Sequence, residues 1–493
     1  MSGTGGSRRA LVIGAGLGGL AAAIHLAAEG VDVDVYERNA APGGKASEMR
    51  VDGFRFDTGP SLLTMPFVID SLFAKAGRAR ADVLDIAPVD PLCRYSFADG
   101  STLDAWSDEQ RFIDAVRTLS PGDADAVRRF LDHCERIYDL TAELFLFSRL
   151  NDRKALLRHS NLRTLLRIHQ IDPFRSVHRA VSSFFSDPRL VQLFDRYATY
   201  NGSDPWKAPA TLNIISHVEY RMGGYYVRGG MYALVAALHK LAEDVGVRFH
   251  FNAEVQRILL RQGRVCGVRV NGEVVDADTV ISNADAVHTM TQLLEDAPQR
   301  SRYERLEPSC SGLVFLWGID GLHPDMALHN IFFSEDYRRE FREIFDLGRQ
   351  PSDPTVYVSI TSKADPSHAP EGMENWFVLV NMPALRDGAA DTDIEGLRES
   401  VLARLDRAGL DVRRRIRVER IISPHDLEQR YNSNRGSIYG ISSNSPRAAF
   451  LRPANKVSRV PGLYLCGGAA HPGGGVPLVL LSGMHAAEAV LKS

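Results

Sequence analysis

At 493 residues, the chain exceeds what a single hydrophobic core commonly serves, so two closely joined domains are expected. A formal net charge of -3 gives no whole-chain attraction for a polyanion, and no nucleic-acid partner is expected. Cys93, Cys134, Cys266, Cys310 and Cys466 stand singly, without zinc-site spacing, and no run reaches the roughly 18 to 20 apolar residues of a spanning helix, so metal-free, cytoplasmic residence is expected.

The first elements are the most informative. Residues 10–13 read as a buried strand, 14–19 as a glycine turn, 20–29 as a helix ended by Gly30, and 31–36 as a second strand closed by Glu37. The glycines have separate physical roles. Gly14 allows the tight turn, Gly16 lets backbone approach a pyrophosphate, and Gly19 lets the helix pack closely on the strand. Glu37 is placed to accept the ribose hydroxyls of an adenosine, and its carboxylate repels a 2'-phosphate, favouring FAD or NAD over NADP. Beyond it, Gly43-Gly44 and Lys45 put a second glycine pair and a cation where an extended cofactor continues.

From residue 144 to 185, leucine and phenylalanine alternate with arginine and lysine. Leu162, Leu165 and Leu166 share one helical face and Arg163 and Arg167 another, a pattern that suits either a helix lying on a membrane surface or a solvated helix packed on the core by its leucines. Segments 245–251, 254–258, 264–270 and 274–281 alternate like strands, the last two as a hairpin, and 356–362 and 376–382 read as further strands. Near the end, 462–468 reads as a strand running into Gly467-Gly468. There 471–477 leads into a helix through Leu491, with Pro477 suited to its first position.

Read together, Glu37, Arg38, Pro42, Gly43, Gly44 and Lys45, followed by Gly53-Phe54-Arg55-Phe56-Asp57-Thr58-Gly59-Pro60-Ser61, resemble the cofactor segments of bacterial carotenoid desaturases of the flavin amine oxidase superfamily. Residues 197–213 and 224–231 are most similar to 1-hydroxycarotenoid 3,4-desaturases. The resemblance implies an α/β fold: a Rossmann-like FAD-binding domain of the glutathione-reductase type with an inserted α+β substrate and membrane-contact domain. Its expected boundaries are 1–61, 223–284 and 424–493 for the FAD domain and 62–222 and 285–423 for the insertion.

The resemblance assigns FAD to Gly14, Ala15, Gly16, Gly18, Gly19, Glu37, Arg38, Gly44, Lys45, Pro60, Ser61, Val255, Gly467, Gly468, Gly475 and Val476. It implies desaturation of an acyclic or monocyclic carotenoid by hydride transfer to flavin, at the inner face of the cell membrane. Aromatic residues of 197–213 are expected to line a polyene cavity and Arg228-Gly229-Gly230 to turn backbone toward the flavin. Without a second nucleotide fingerprint, oxygen or a quinone is the expected electron acceptor.

Catalytic residues stay unassigned. Asp204, His217, Glu219 and His471 are candidate proton acceptors, because each lies in or beside a motif segment. Phytoene or its C30 relative stay open as substrates. So do two other readings that share these segments: a flavin amine oxidase and a prenyl-binding escort protein that uses no flavin.

Overall fold

The computed structural model describes residues 9–150, 168–295, 299–388, 392–450 and 452–493. Among them, β1 (Arg9–Ile13), β2 (Asp32–Tyr36), β3 (Arg248–His250), β4 (Val280–Ser282) and β5 (Leu463–Leu465) form a parallel sheet ordered β5-β4-β1-β2-β3. Both faces are covered, which is why β1 is almost wholly apolar. Ala10 and Val12 pack toward α1 (Leu17–Ala28) and α2 (Val476–Leu491). Leu11 and Ile13 pack toward an antiparallel meander of Val255–Arg261, Arg264–Val270 and Glu273–Asp276.

The hairpin expected from 264–270 and 274–281 divides. Glu273–Asp276 completes the meander, while Val280–Ser282 leaves it to pair in parallel with β1 as β4. Alternating apolar residues satisfy either sheet, and periodicity alone does not mark where a chain changes sheets. Similarly, α1 starts at Leu17, ahead of the expected position, because Gly18 and Gly19 lie inside its first turn.

The second layer is a mostly antiparallel sheet ordered Ile416–Ile422, Ser311–Asp320, Met373–Met382, Val356–Ser359, His329–Phe332, Cys93–Ser96 and Thr102–Ala105. Phe315, Trp317, Trp376 and Val378 bury one face under the helix Ile394–Arg407. Val314, Phe377 and Leu379, on the opposite face, line a cavity. Helices Glu109–Leu119, Ala124–Phe145, Pro188–Asp195 and Ile214–Tyr220 join through a cluster centred on Phe112, Phe130, Phe194 and Tyr197.

The surface-helix residues Leu162, Arg163, Leu165, Leu166 and Arg167 lie outside the described residues. Among the described residues, no helix is long and apolar enough to cross a membrane.

Candidate active site

A cavity of about 620 Å³ runs from the glycine turn after β1, past the N-terminus of α2, into an apolar chamber under the second sheet. Its cofactor-sized arm is built mainly from backbone. Gly14 has φ +92, the left-handed region that glycine enters without steric penalty. A Cβ on Gly19 would lie 2.0 Å from Gly14 O, and one on Gly18 would lie 2.5 Å from Asn283 Oδ1. The start of α1 is thereby pressed against β1 and the loop after β4.

Gly16 caps α1 without a side-chain acceptor, and the first turn carries no acidic residue. Its free N–H groups and the positive end of the helix dipole suit an anionic phosphate. Glu37 stands at the end of β2, only 5% exposed. Its Oε2 accepts from Ala15 N–H at 2.8 Å, and its Oε1 accepts from the backbone and side chain of Asn39, each at 2.8 Å. Each carboxylate oxygen keeps further accepting capacity. On the far side, α2 is capped by Gly475 at φ +96, again with no side-chain cap, and Pro477 occupies its second position.

Two cations flank this arm, Lys45 half-buried and Arg452 buried. Lys45 donates to Ser437 O at 2.9 Å and Ile438 O at 2.8 Å, and burial pulls its ammonium down to about 8. Arg452 donates to Gly468 O at 2.8 Å and Ile441 O at 2.9 Å, and burial pulls its guanidinium down to about 10. Both line the cavity. Two uncapped helix N-termini, two cations and one carboxylate at a strand end fit a dinucleotide: the pyrophosphate is anionic and the adenosine ribose is a neutral diol.

The chamber is different in kind. Leu92, Leu212, Ile215, Val218, Ile331 and Leu379 give it apolar walls, but one end holds a polar cluster. Arg196, 8% exposed, donates through Nη2 to Tyr95 OH at 2.7 Å and lies 3.7 Å from Glu219. Its Nε makes no hydrogen bond. Glu219 accepts from Tyr197 OH at 2.8 Å and from Tyr200 OH. The rings of Tyr197 and Tyr200 sit 4.6 and 5.2 Å from the guanidinium.

Nearby, His329 Nδ1 meets Tyr357 OH at 2.8 Å, and that hydroxyl meets Ser61 Oγ at 2.5 Å. Burial and the Arg196 charge push the His329 imidazole down to about 3, so it is neutral at physiological pH. Its Nε2 makes no hydrogen bond.

Gly14, Gly16, Glu37, Arg38, Gly44, Lys45, Pro60, Ser61, Val255, Gly467, Gly468, Gly475 and Val476 all line the one cavity. Ala15, Gly18 and Gly19 do not; Ala15 anchors Glu37, and the two glycines permit close packing. Of the candidate proton acceptors, Glu219 and His471 line the cavity, whereas Asp204 and His217 do not. His471 Nε2 donates to Ser148 O at 2.9 Å, and burial lowers its imidazole to about 4. Of the aromatic residues of 197–213, Tyr200 lines the chamber, whereas Tyr197 and Trp206 pack into the helical core instead.

Arg228-Gly229-Gly230, by contrast, lies off the cavity. A Cβ on Gly230 would sit 2.0 Å from Arg55 Nη1, so that glycine accommodates the buried Arg55–Asp57 ion pair. Arg452, Arg196 and His329 reach the cavity without belonging to any sequence motif. Only Arg196 carries a local signal: a cation in a stretch with Tyr197 and Tyr200 and little else charged.

Over residues 17–491 the sequence matches the family described as flavin containing amine oxidoreductase. The chain belongs to this family. It is an FAD-dependent oxidoreductase, and the dinucleotide that the site fits is FAD. A 4,4'-diapolycopene oxygenase from Methylomonas sp. is 40% identical, with 97% of each chain covered. A 1-hydroxycarotenoid 3,4-desaturase from Flavobacterium sp. (strain P99-3) is 37% identical, with 98% of this chain and 99% of that protein covered. The crystal structure of an oxidoreductase from Methanosarcina mazei superposes with a TM-score of 0.65 at 18% identity, over 98% of this chain and 100% of that one, which shows the shared fold.

Proposed function

We propose that the chain oxidises a carotenoid, with desaturation of a 1-hydroxycarotenoid at C–C bonds as its reaction. The observation that carries this reading is the continuity of one cavity from the dinucleotide arm into a long apolar chamber. Glu37 takes the adenosine ribose, with Arg38 beside it and Val255 at the adenine. The N-terminus of α1 takes the pyrophosphate. Gly44, Lys45, Pro60, Ser61, Gly467, Gly468, Gly475 and Val476 surround the flavin end.

Bound FAD supplies the hydride acceptor that no side chain provides. The protein's share is to hold the target bond near the ring and exclude water: Leu212, Ile215, Val218 and Leu379 wall the polyene, and Phe377 and Val314 close the side facing the second sheet. Phe67, 41% exposed, sets its ring 6.1 Å from that of Phe147, which follows Phe145 and Leu146 of the cavity lining along the chain; this exposed aromatic edge supports supply of substrate from one side of a membrane. Oxygen or a membrane quinone removes the electrons.

A second reading, oxygenation at a chain end, is favoured by the oxygenase relative at 40% identity. Chromatography and mass spectrometry of pigments from carotenoid-producing cells with and without the chain separate the two. Desaturation removes hydrogen and lengthens the chromophore; oxygenation adds oxygen. Pigments identical in both cultures, with FAD bound, would reject the carotenoid reading.

A further inference from the structure

We infer that the cluster around Arg196 is a binding subsite for the oxygen of a polyene that already carries a hydroxyl or carbonyl near one end. The inference deepens the carotenoid reading and rests on it. A wholly hydrocarbon substrate gives an apolar chamber no reason to contain a cation, a carboxylate and an imidazole. Burying them is costly, and here they and the Ser61 hydroxyl are brought together from four separated parts of the chain. Arg196 follows the helix Pro188–Asp195, Glu219 lies on Ile214–Tyr220, His329 opens a strand, and Ser61 follows the strand Phe54–Asp57.

The cluster is balanced in charge but not saturated in hydrogen bonds. Glu219 is held by Tyr197 and Tyr200 and lies 3.7 Å from Arg196. Arg196 spends one bond on Tyr95 and leaves Nε without a partner, although the residue is 8% exposed. His329, 2% exposed, leaves Nε2 without a partner while Nδ1 meets Tyr357. Arg196, Glu219, His329 and Tyr357 all line the cavity. Satisfied networks of this kind stiffen a core; unpartnered polar atoms in a buried network beside a cavity call for a partner, and a ligand oxygen supplies one.

Its chemistry selects the ligand. The paired Glu219 leaves no net positive charge for a carboxylate to neutralise, so a neutral oxygen is preferred. Arg196 donates to a hydroxyl or carbonyl, and neutral His329 donates or accepts according to its tautomer.

The test uses the FAD-loaded full chain in liposomes with two acyclic carotenoids that differ only by a terminal hydroxyl. The wild type is expected to favour the hydroxylated pigment in kcat/KM by roughly 10- to 100-fold, the range of one charge-assisted hydrogen bond. The double variant Arg196→Gln/Glu219→Gln, which removes both charges together, is expected to keep bound FAD and to lose that preference, read as the ratio of kcat/KM for the two pigments whatever the absolute rate. His329→Phe, which leaves the ion pair intact, is expected to narrow it. A preference retained in the double variant, or absent from a wild type that oxidises both pigments, overturns the subsite and leaves the carotenoid reading standing. A wild type that oxidises neither pigment overturns both. If the double variant does not fold, the His329→Phe ratio decides, and an unchanged ratio there counts against the subsite.

Discussion

The two arms of the cavity are built by opposite means. Around the dinucleotide arm the chain uses backbone: glycines at positions where a Cβ collides, helix N-termini without side-chain caps, and carbonyls that hold Lys45 and Arg452. Around the chamber it uses side chains: apolar walls interrupted by Arg196, Glu219 and His329. A backbone site recognises what every dinucleotide has in common, whereas a side-chain site can change its ligand by a few substitutions without disturbing the fold. This contrast locates the fixed cofactor and the variable substrate in different materials.

The sharpest test of the backbone arm is a single methyl group. Gly19→Ala sets a Cβ 2.0 Å from Gly14 O, which neither backbone can yield, and a loss of more than about 3 kcal/mol with little bound FAD is expected. Gly30→Ala has the same chemistry but open space around it, with φ +79, so only about 1 kcal/mol is expected. Thermal midpoints and flavin absorbance compare them directly. Equal losses in the two variants would mean that backbone strain, not close packing, governs this arm.

Arg452 is the exception that probes the contrast from inside. It is 4% exposed and donates to carbonyls of residues as far apart as Ile441 and Gly468. Arg452→Met strands those carbonyls, and a loss of about 2 to 3 kcal/mol in stability is expected, with weaker FAD retention on gel filtration. If stability falls but FAD affinity in the surviving folded protein is unchanged, Arg452 braces the loop without sensing the cofactor. Glu37→Gln is a smaller perturbation. It puts an amide donor against the Ala15 or Asn39 N–H, and about 10-fold weaker FAD binding by fluorescence titration is expected, with the thermal midpoint of the FAD-free chain nearly unchanged.

The same contrast explains what could be read before the fold was known. Gly14, Gly16, Glu37 and Lys45 occupy a contiguous stretch because a strand, a turn and a helix position them locally, and local geometry leaves a spacing in the sequence. Arg196, Glu219 and His329 meet only through tertiary packing, and such convergence writes no spacing. Arg452 is hidden for the same reason. Residues 274–281 show the limit at the level of the fold, since alternation identifies strand character but not the sheet that each half joins. The glycines of 228–230 mislead in another way: a glycine marks close approach without saying what approaches, and for Gly230 it is Arg55.

The weakest perturbation concerns a buried carboxyl on the chamber side of the molecule, away from the polar cluster, and it separates burial of a side chain from ligand binding by one. Glu340 is 1% exposed and accepts from Ser334 Oγ at 2.8 Å, Thr355 Oγ1 at 2.7 Å and Thr355 N–H at 3.1 Å. Burial pushes it up to about 7 from an ordinary 4.5, in spite of these bonds. The folded chain therefore holds this proton more tightly than the unfolded chain. Its contribution to stability is fully present below about 4.5 and is lost as pH rises through about 7. Glu340→Gln keeps the shape and removes the titration. At about pH 8 the variant is expected to be more stable than the wild type by up to about 3 kcal/mol, and at about pH 5 the advantage is expected to shrink toward zero. Thermal midpoints of both proteins at the two pH values read it out. A difference that does not change with pH would show that the Glu340 carboxyl is not raised in the fold and is ionised in both states. Because Glu340 does not line the cavity, its substitution is also expected to leave the preference between hydroxylated and hydrocarbon pigments unmoved, the opposite of the outcome expected for Arg196.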